Sequence, residues 1–221
     1  MSEIPSDIEW RTSTAPVPYA EALAFMEQRA AAISDGSGRE CIWLLEHPAL
    51  FTAGTSADPA ELINPLGLPV FEAGRGGRYT YHGPGQRVAY VMLDLDRRGK
   101  DIRRFVHSLE GWMIDALAEL DVAAHRAEGR IGIWVGDGAE EAKIGALGVR
   151  VKRWVTLHGF ALNVAPNLGH FTGIVPCGIV EFGVTSLAKL GKQTSMSRVD
   201  AALGRSFPSF LKSLELSCKE S

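Results

Sequence analysis

Apolar residues recur every three or four positions along 101–120, DIRRFVHSLEGWMIDALAEL, where Ile102, Phe105, Leu109, Met113, Ala116 and Leu120 fall on one stripe. That period predicts an amphipathic helix, and Asp101 is placed to cap its N-terminus. The stretch 19–33, YAEALAFMEQRAAAI, carries a looser version through Leu23, Met26 and Ala30, ended by SDGSG. Other segments read as strands. ECIWLLEHP (40–48) is an apolar run stopped by Pro48, VFEAGRGG is a short strand running into glycines, RVAYVMLDL (87–95) is a strong strand, and RIGIWVGDG leads into a tight Gly-Asp-Gly turn. AKIGALGVRVKRW and VTLHGFALNV alternate apolar and polar residues, which predicts a hairpin around Trp154. Residues 47–69 read as a long irregular connection, and 197–216 as two short helices interrupted near Pro208.

Strands occur both in hairpins and beside helices, without strict alternation. The expected fold class is therefore α+β, with a mixed, largely antiparallel sheet flanked by helices. No repeat, low-complexity tract or linker interrupts the 221 residues, so a single domain over 1–221 is expected. A formal net charge of −3 gives no general drive toward nucleic acid or an anionic membrane. No apolar run approaches the roughly 20 residues of a membrane span, and the polar start MSEIPSDIEWR resembles no targeting peptide, so a cytoplasmic location is expected.

The three cysteines form no CxxC pair and suggest no metal site. Cys41 opens a buried-strand pattern and reads as a small core hydrophobe, and Cys218 lies in a polar tail. Cys177 fits neither description: it stands in FTGIVPCGIVEFGVTSL (171–187), between Pro176 and Gly178. Backbone N–H groups in such a turn can stabilise a thiolate, and an oxyanion formed on attack. A thiol of ordinary pKa, about 8.5, needs a partner base or cation to act as a nucleophile. His82, His158, His170 and Lys143 are the candidates. Lys143 stands among small apolar residues in EAKIGALGVRV, where desolvation disfavours an ammonium; the plain alternative is a solvated lysine at a strand end. The densest glycine cluster, GRGGRYTYHGPGQRVAY (74–90), is neither a P-loop nor a dinucleotide fingerprint; it is either an ornate turn or a segment built for close ligand approach.

RGGRYTYHGPGQRVAY resembles the signature of the lipoyl(octanoyl) transferases, and AKIGALGVRV, LHGFALNV and IVPCGI…GVTSL resemble the other blocks of that family, in order and over roughly 15–215. The resemblance implies a fold like that of the biotin and lipoate protein ligases. It implies transfer of an octanoyl group from octanoyl-acyl carrier protein to a lysine of lipoyl domains, in 2-oxoacid dehydrogenase complexes and the glycine cleavage H protein. Cys177 matches the family's nucleophile and Lys143 its partner, so a Cys–Lys dyad displaces an ordinary Cys–His guess. Substrate-contacting segments match Arg75, Gly76, Gly77, Arg78, Tyr79, Thr80, Tyr81 and His82, then Ala146, Leu147 and Gly148, then Gly159, Phe160 and Ala161. A monomer without cofactor, metal or ATP is expected. The turns at Gly76–Gly77 and around Cys177 are expected to supply oxyanion donors. His82 is expected to orient pocket groups or serve the core, while His47, His107, His125 and His170 read as structural. The run DRRGKDIRR (96–104) holds five basic residues in nine, either a solvated helix start or a docking patch for an acidic carrier protein. Three rival readings remain: an ATP-dependent ligase of the same fold, a non-catalytic acyl-binding module, and a cysteine hydrolase that requires histidine.

Overall fold

The computed structural model describes residues 4–174 and 183–215; Cys177 and Cys218 lie outside the described residues. Eleven strands are present among them: β1 (Ile8–Thr12), β2 (Glu40–Leu45), β3 (Leu50–Ala53), β4 (Val70–Glu72), β5 (Thr80–His82), β6 (Gln86–Met92), β7 (Ala124–Ala127), β8 (Arg130–Val135), β9 (Ala142–Lys152), β10 (Val155–Asn163) and β11 (Gly183–Val184). Three helices accompany them: α1 (Tyr19–Ser34), α2 (Ile102–Ala118) and α3 (Met196–Glu215). The main sheet runs β1-β2-β6-β10-β9-β8-β7, with β11 pairing β9. Only β1–β2 and β11–β9 are parallel in it. A second sheet has the order β4-β3-β5. The architecture is the mixed, largely antiparallel α+β one that the strand pattern predicts.

Alternation along the central strands divides the core into two layers. On β2, Ile42 and Leu44 join the cluster under α2 and α3, while Cys41, Trp43 and Leu45 join the cluster under α1. On β6 the same split separates Ala89 and Val91 from Val88, Tyr90 and Met92. Both faces of these strands are covered, which is why RVAYVMLDL reads as a continuous apolar run. Cys41 is completely buried, and burial pushes its thiol up to about 12, so it packs as a hydrophobe. The β9–β10 hairpin turns through Arg153 and Trp154, with φ of 49° and 65°, the two left-handed residues that a tight two-residue turn requires. Asp101 accepts from the Arg104 backbone N–H at 2.9 Å and caps α2.

Three segments differ from the sequence expectation. Helix α3 is one continuous helix through Pro208, not two. Its buried stripe, Val199, Leu203, Phe207, Phe210 and Leu214, continues on both sides of the proline and packs on α2, and that burial outweighs a proline cost of about 3 kcal/mol. The connection after Pro48 contains β3, which the short length of LFTA conceals. Near the N-terminus, where the resemblance assigns nothing, β1 seats Ile8 in the core and Trp10 edge-on to Trp112 and Phe207.

Two of the five basic residues at 96–104 are occupied inside the fold, while Arg97, Lys100 and Arg103 are exposed. Arg98 makes a two-pronged ion pair with Glu40 at 2.5 and 2.6 Å, Glu40 also accepts from the Asp94 N–H, and Arg104 donates to the Arg98 and Leu214 carbonyls. Charge reversal at Arg98 therefore perturbs folding before it reports on docking. Arg98→Ala leaves a buried carboxylate unpaired and should lower unfolding free energy by about 3 kcal/mol, read from denaturant melts. A loss within 0.5 kcal/mol, the size typical of ordinary surface substitutions, would show that water replaces the guanidinium there.

Candidate active site

A cavity of about 410 Å³ opens between the two sheets. Its floor is the β9–β10 hairpin. Small residues make that floor close and smooth: Gly145, Ala146 and Gly148 on β9, Gly159 and Ala161 on β10. They also let neighbours approach. A Cβ on Gly159 would stand 2.3 Å from the Ala89 carbonyl oxygen, and one on Gly145 would stand 2.2 Å from Met113 Sδ. Leu147 and Phe160, paired across the hairpin, add apolar wall, with Phe160 edge-on to Trp112 behind it.

The glycine-rich segment before β5 forms the opposite wall, and it folds onto the floor through its backbone. The Gly76 N–H donates to the Val149 carbonyl at 3.1 Å. That N–H is thus committed to the scaffold, which corrects the expectation that Gly76 supplies an oxyanion donor. Arg75 is buried, and its guanidinium donates to the carbonyls of Thr52, Gly76 and Arg78 and to Thr52 Oγ1. These bonds fix the shape of the loop. Arg75, Gly76, Gly77, Arg78 and Tyr79 all line the cavity, with Arg78 also ion-paired to Glu61.

Strand alternation then sorts β5. Thr80 and His82 face the cavity. Tyr81 faces the other way, into a small cluster with Phe51 and Ile174, where its hydroxyl is hydrogen-bonded to His170 Nδ1 at 2.8 Å. Fifteen of the sixteen residues singled out from the sequence are described: all but Tyr81 line one cavity, and Cys177 is the one outside the described residues.

Lys143 enters near the start of β9 and is 8% exposed. Its Nζ lies 5.3 Å from the centroid of the Trp134 ring, within cation–π range. Room for its stem comes from Gly132, whose φ of 126° suits glycine and whose missing Cβ would fall 2.2 Å from Lys143 Cε. The lysine is thus held inside the cavity instead of extending into solvent.

Behind the wall sits a group of rings: His82 and His158, both candidate partners of Cys177, with His47, which reads as structural, and Tyr19 and Tyr90. His47 is fully buried, with Nδ1 at 2.6 Å from the Val17 carbonyl and Nε2 at 2.7 Å from the Tyr90 hydroxyl. Its ring lies 5.7 Å from that of His82, and Tyr90 lies 5.8 Å from His158. Burial pushes His47 and His158 down to about 4, with the Arg75 charge also acting on His158. His82 is held well below the usual imidazole range by burial, then by His47 and Arg75. Tyr19 is raised to about 12 by burial. At neutral pH these rings are uncharged. His158 also adopts φ of 62° within β10, an uncommon conformation for a side chain of that size. Tyr19, Tyr90, Gln86 and Asn163 line the cavity too. Gln86, Tyr90 and Asn163 stood in the recognised blocks without an assigned role; Tyr19 carries no local signal and arrives from α1.

No cluster of metal-ligating side chains occurs among the described residues, and none of their helices is long and apolar enough to cross a membrane.

The fold is shared with solved lipoate protein ligases. Superposition on the bi-partite lipoate protein ligase of Thermoplasma acidophilum gives a TM-score of 0.67 at 16% identity, covering 93% of this chain and 84% of the other. Superposition on lipoate-protein ligase A, solved with bound ATP, gives 0.70 at 18%, covering 92% and 86%. At that identity the likeness is one of fold. Sequence comparison goes further: the profile of the lipoyl protein ligase A/B catalytic domain matches residues 18–208, and the chain belongs to that family. It is 69% identical over 207 residues to an octanoyltransferase of Sphingopyxis alaskensis, covering 93% of this chain and 95% of that one. A second octanoyltransferase, from Rhizorhabdus wittichii, is 60% identical over 216 residues, covering 98% and 97%.

Proposed function

We propose that the protein transfers an octanoyl group from octanoyl-acyl carrier protein to a specific lysine of lipoyl domains, through a thioester on Cys177 and without ATP. The observation that carries this reading is Lys143 buried within a mostly apolar cavity, in a chain closely similar to octanoyltransferases. A cavity of about 410 Å³ is of the size that small-molecule sites commonly have. Each methylene buried there contributes about 0.8 kcal/mol, so an eight-carbon chain gains several kcal/mol along the floor of Gly145, Ala146 and Gly148.

In the first half-reaction a cation beside the Cys177 sulfur favours its thiolate, and Lys143 is the residue assigned to that role. The thiolate attacks the thioester carbonyl, the C–S bond to the carrier breaks, and the pantetheine thiolate leaves, taking a proton from the Lys143 ammonium. In the second, the lysine amine of the lipoyl domain attacks the Cys177 thioester, the C–S bond to Cys177 breaks, and the Cys177 thiolate is released. An amine arrives protonated at neutral pH, so a base must take its proton, and Lys143, once deprotonated, serves here as well. The thioester is already activated and its conversion to an amide runs downhill, so no nucleotide is consumed. The acceptors expected are the lipoyl domains of 2-oxoacid dehydrogenase complexes and the glycine cleavage H protein, with the protein acting as a cytoplasmic monomer.

The test is the intact mass of the protein after mixing with octanoyl-acyl carrier protein alone. The wild type should gain one octanoyl group and lose it when a lipoyl domain is added; Cys177→Ala should gain none. Transfer that appears only with ATP and free octanoate would instead assign the chain to the ligases whose fold it shares.

A further inference from the structure

His82, Gln86 and Asn163 form a buried line of hydrogen bonds whose direction is set at its ends. The Asn163 side chain lies 3.0 Å from the Thr185 backbone carbonyl, which can only accept, so the atom facing it is the amide nitrogen Nδ2. Asn163 Oδ1 therefore points the other way, and it accepts from Gln86 Nε2 at 3.0 Å. The same Gln86 nitrogen donates to the Tyr81 backbone carbonyl at 3.2 Å. Two acceptors thus fix the orientation of Gln86, and its Oε1 is left facing His82 Nδ1 at 2.7 Å. An amide oxygen only accepts, so Nδ1 must carry the hydrogen. Gln86 and Asn163 are 2% and 4% exposed, which leaves little chance for water to substitute in the line.

We propose that Gln86 and Asn163 are positioning residues: they lock His82 as the Nδ1–H tautomer, so that its bare Nε2 is presented to the cavity as a hydrogen-bond acceptor. The free imidazole side chain prefers the opposite tautomer, with the hydrogen on Nε2, so the line overrides an intrinsic preference. His82 is uncharged at neutral pH, as a tautomer lock requires. Among the described residues Nε2 has no hydrogen-bond partner, and His82 lines the cavity. The line also ties the two walls together, because the Thr185 N–H donates to the Lys143 carbonyl at 2.9 Å. The two anchoring carbonyls, Tyr81 and Thr185, thus belong to the strand of His82 and to the segment that pairs with the strand of Lys143. What Nε2 accepts from rests on the acyl-transfer reading: the N–H of the attacking lysine amine is the donor of the right chemistry. The tautomer itself does not rest on that reading.

Long-range proton–nitrogen correlation spectra of the labelled protein at pH 7.5 decide the matter, with the His82 signals assigned by their loss in His82→Gln. The wild type should show the hydrogen on Nδ1. Gln86→Leu should return His82 to the Nε2–H form or a mixture. Octanoyl transfer by Gln86→Leu should fall at least tenfold in kcat. An Nε2–H tautomer in the wild type overturns the proposal even if Gln86→Leu does not fold, and so does an unchanged tautomer in Gln86→Leu. A correct tautomer in a protein that transfers no octanoyl group would uphold the lock and overturn the acyl-transfer reading instead.

Discussion

Gly132→Ala should lower octanoyl transfer at least a hundredfold in kcat/KM, although Gly132 itself carries no reactive group. An added Cβ there would meet Lys143 Cε at 2.2 Å and Nζ at 3.0 Å, as well as the Gly145 carbonyl oxygen at 2.9 Å. Strand β8 cannot retreat without breaking its pairing with β9, so the lysine stem must move. Misplacing a catalytic group by about 1 Å costs on the order of a hundredfold. Lys143→Ala should lose about 10³- to 10⁴-fold, the upper part of the range for acid–base groups. The two effects share one cause and should not add: in a Lys143→Ala background, Gly132→Ala should change the rate less than threefold. The alanine also adopts a left-handed φ, so thermal melts will show a small loss of stability. The cycle separates that loss from the kinetic effect. Full additivity of the two substitutions would disconnect Gly132 from the lysine.

Stability should fall steeply on acidification through a window above the carboxylate range. His47 and His158 are held at about 4 in the folded state, against about 6.5 unfolded. For a depressed base, the unfolded chain binds more protons between those values, so stability is complete above about 6.5 and is lost as pH falls toward 4. From pH 6.5 to 5 the two rings together should remove about 3 kcal/mol, and His82, shifted in the same direction, adds to the loss. The carboxylates with lowered pKa, Glu27, Asp35 and Glu141, lose their contribution at lower pH and so fall outside this window. Urea melts at half-unit pH steps will measure the slope. His47→Gln should flatten it by roughly a third to a half; a wild-type stability that is level from pH 7 to 5 would mean that these rings take up protons without unfolding.

These outcomes bear on how a charged chemistry is kept inside a neutral wall. The imidazoles near the cavity are uncharged at neutral pH, Arg75 has donors turned to the Thr52, Gly76 and Arg78 carbonyls, and Lys143 is the cation proposed to act on Cys177. An electrostatic partner for a thiolate acts more strongly when neighbouring groups do not compete with it.

Much of this was legible along the chain, for local reasons. The α2 stripe, the cap at Asp101 and the β9–β10 hairpin follow from side-chain period and turn chemistry, which act over a few residues. Most of the cavity residues, too, lie in four short blocks whose glycines and polar side chains stand out against their surroundings. Tyr81 shows where local reading stops: it shares a block with His82, but one residue's step in a strand turns it to the opposite face. Pro208 failed as a helix breaker because α2 packs along both halves of α3, a contact between segments about 90 residues apart. His47 and Tyr19 gave no signal, and Gln86 and Asn163 no role, because these depend on partners from distant strands: His47 meets Tyr90 across 43 positions and Gln86 meets Asn163 across 77. Sequence alone determined the fold class and the family and singled out the residues proposed to carry the chemistry, since each rests on short-range pattern. Tertiary structure alone decided which of those residues share a cavity, which N–H groups are already spent, and which nitrogen of His82 holds the hydrogen. Burial and hydrogen-bond direction are properties of the assembled neighbours, and no stretch of chain contains them.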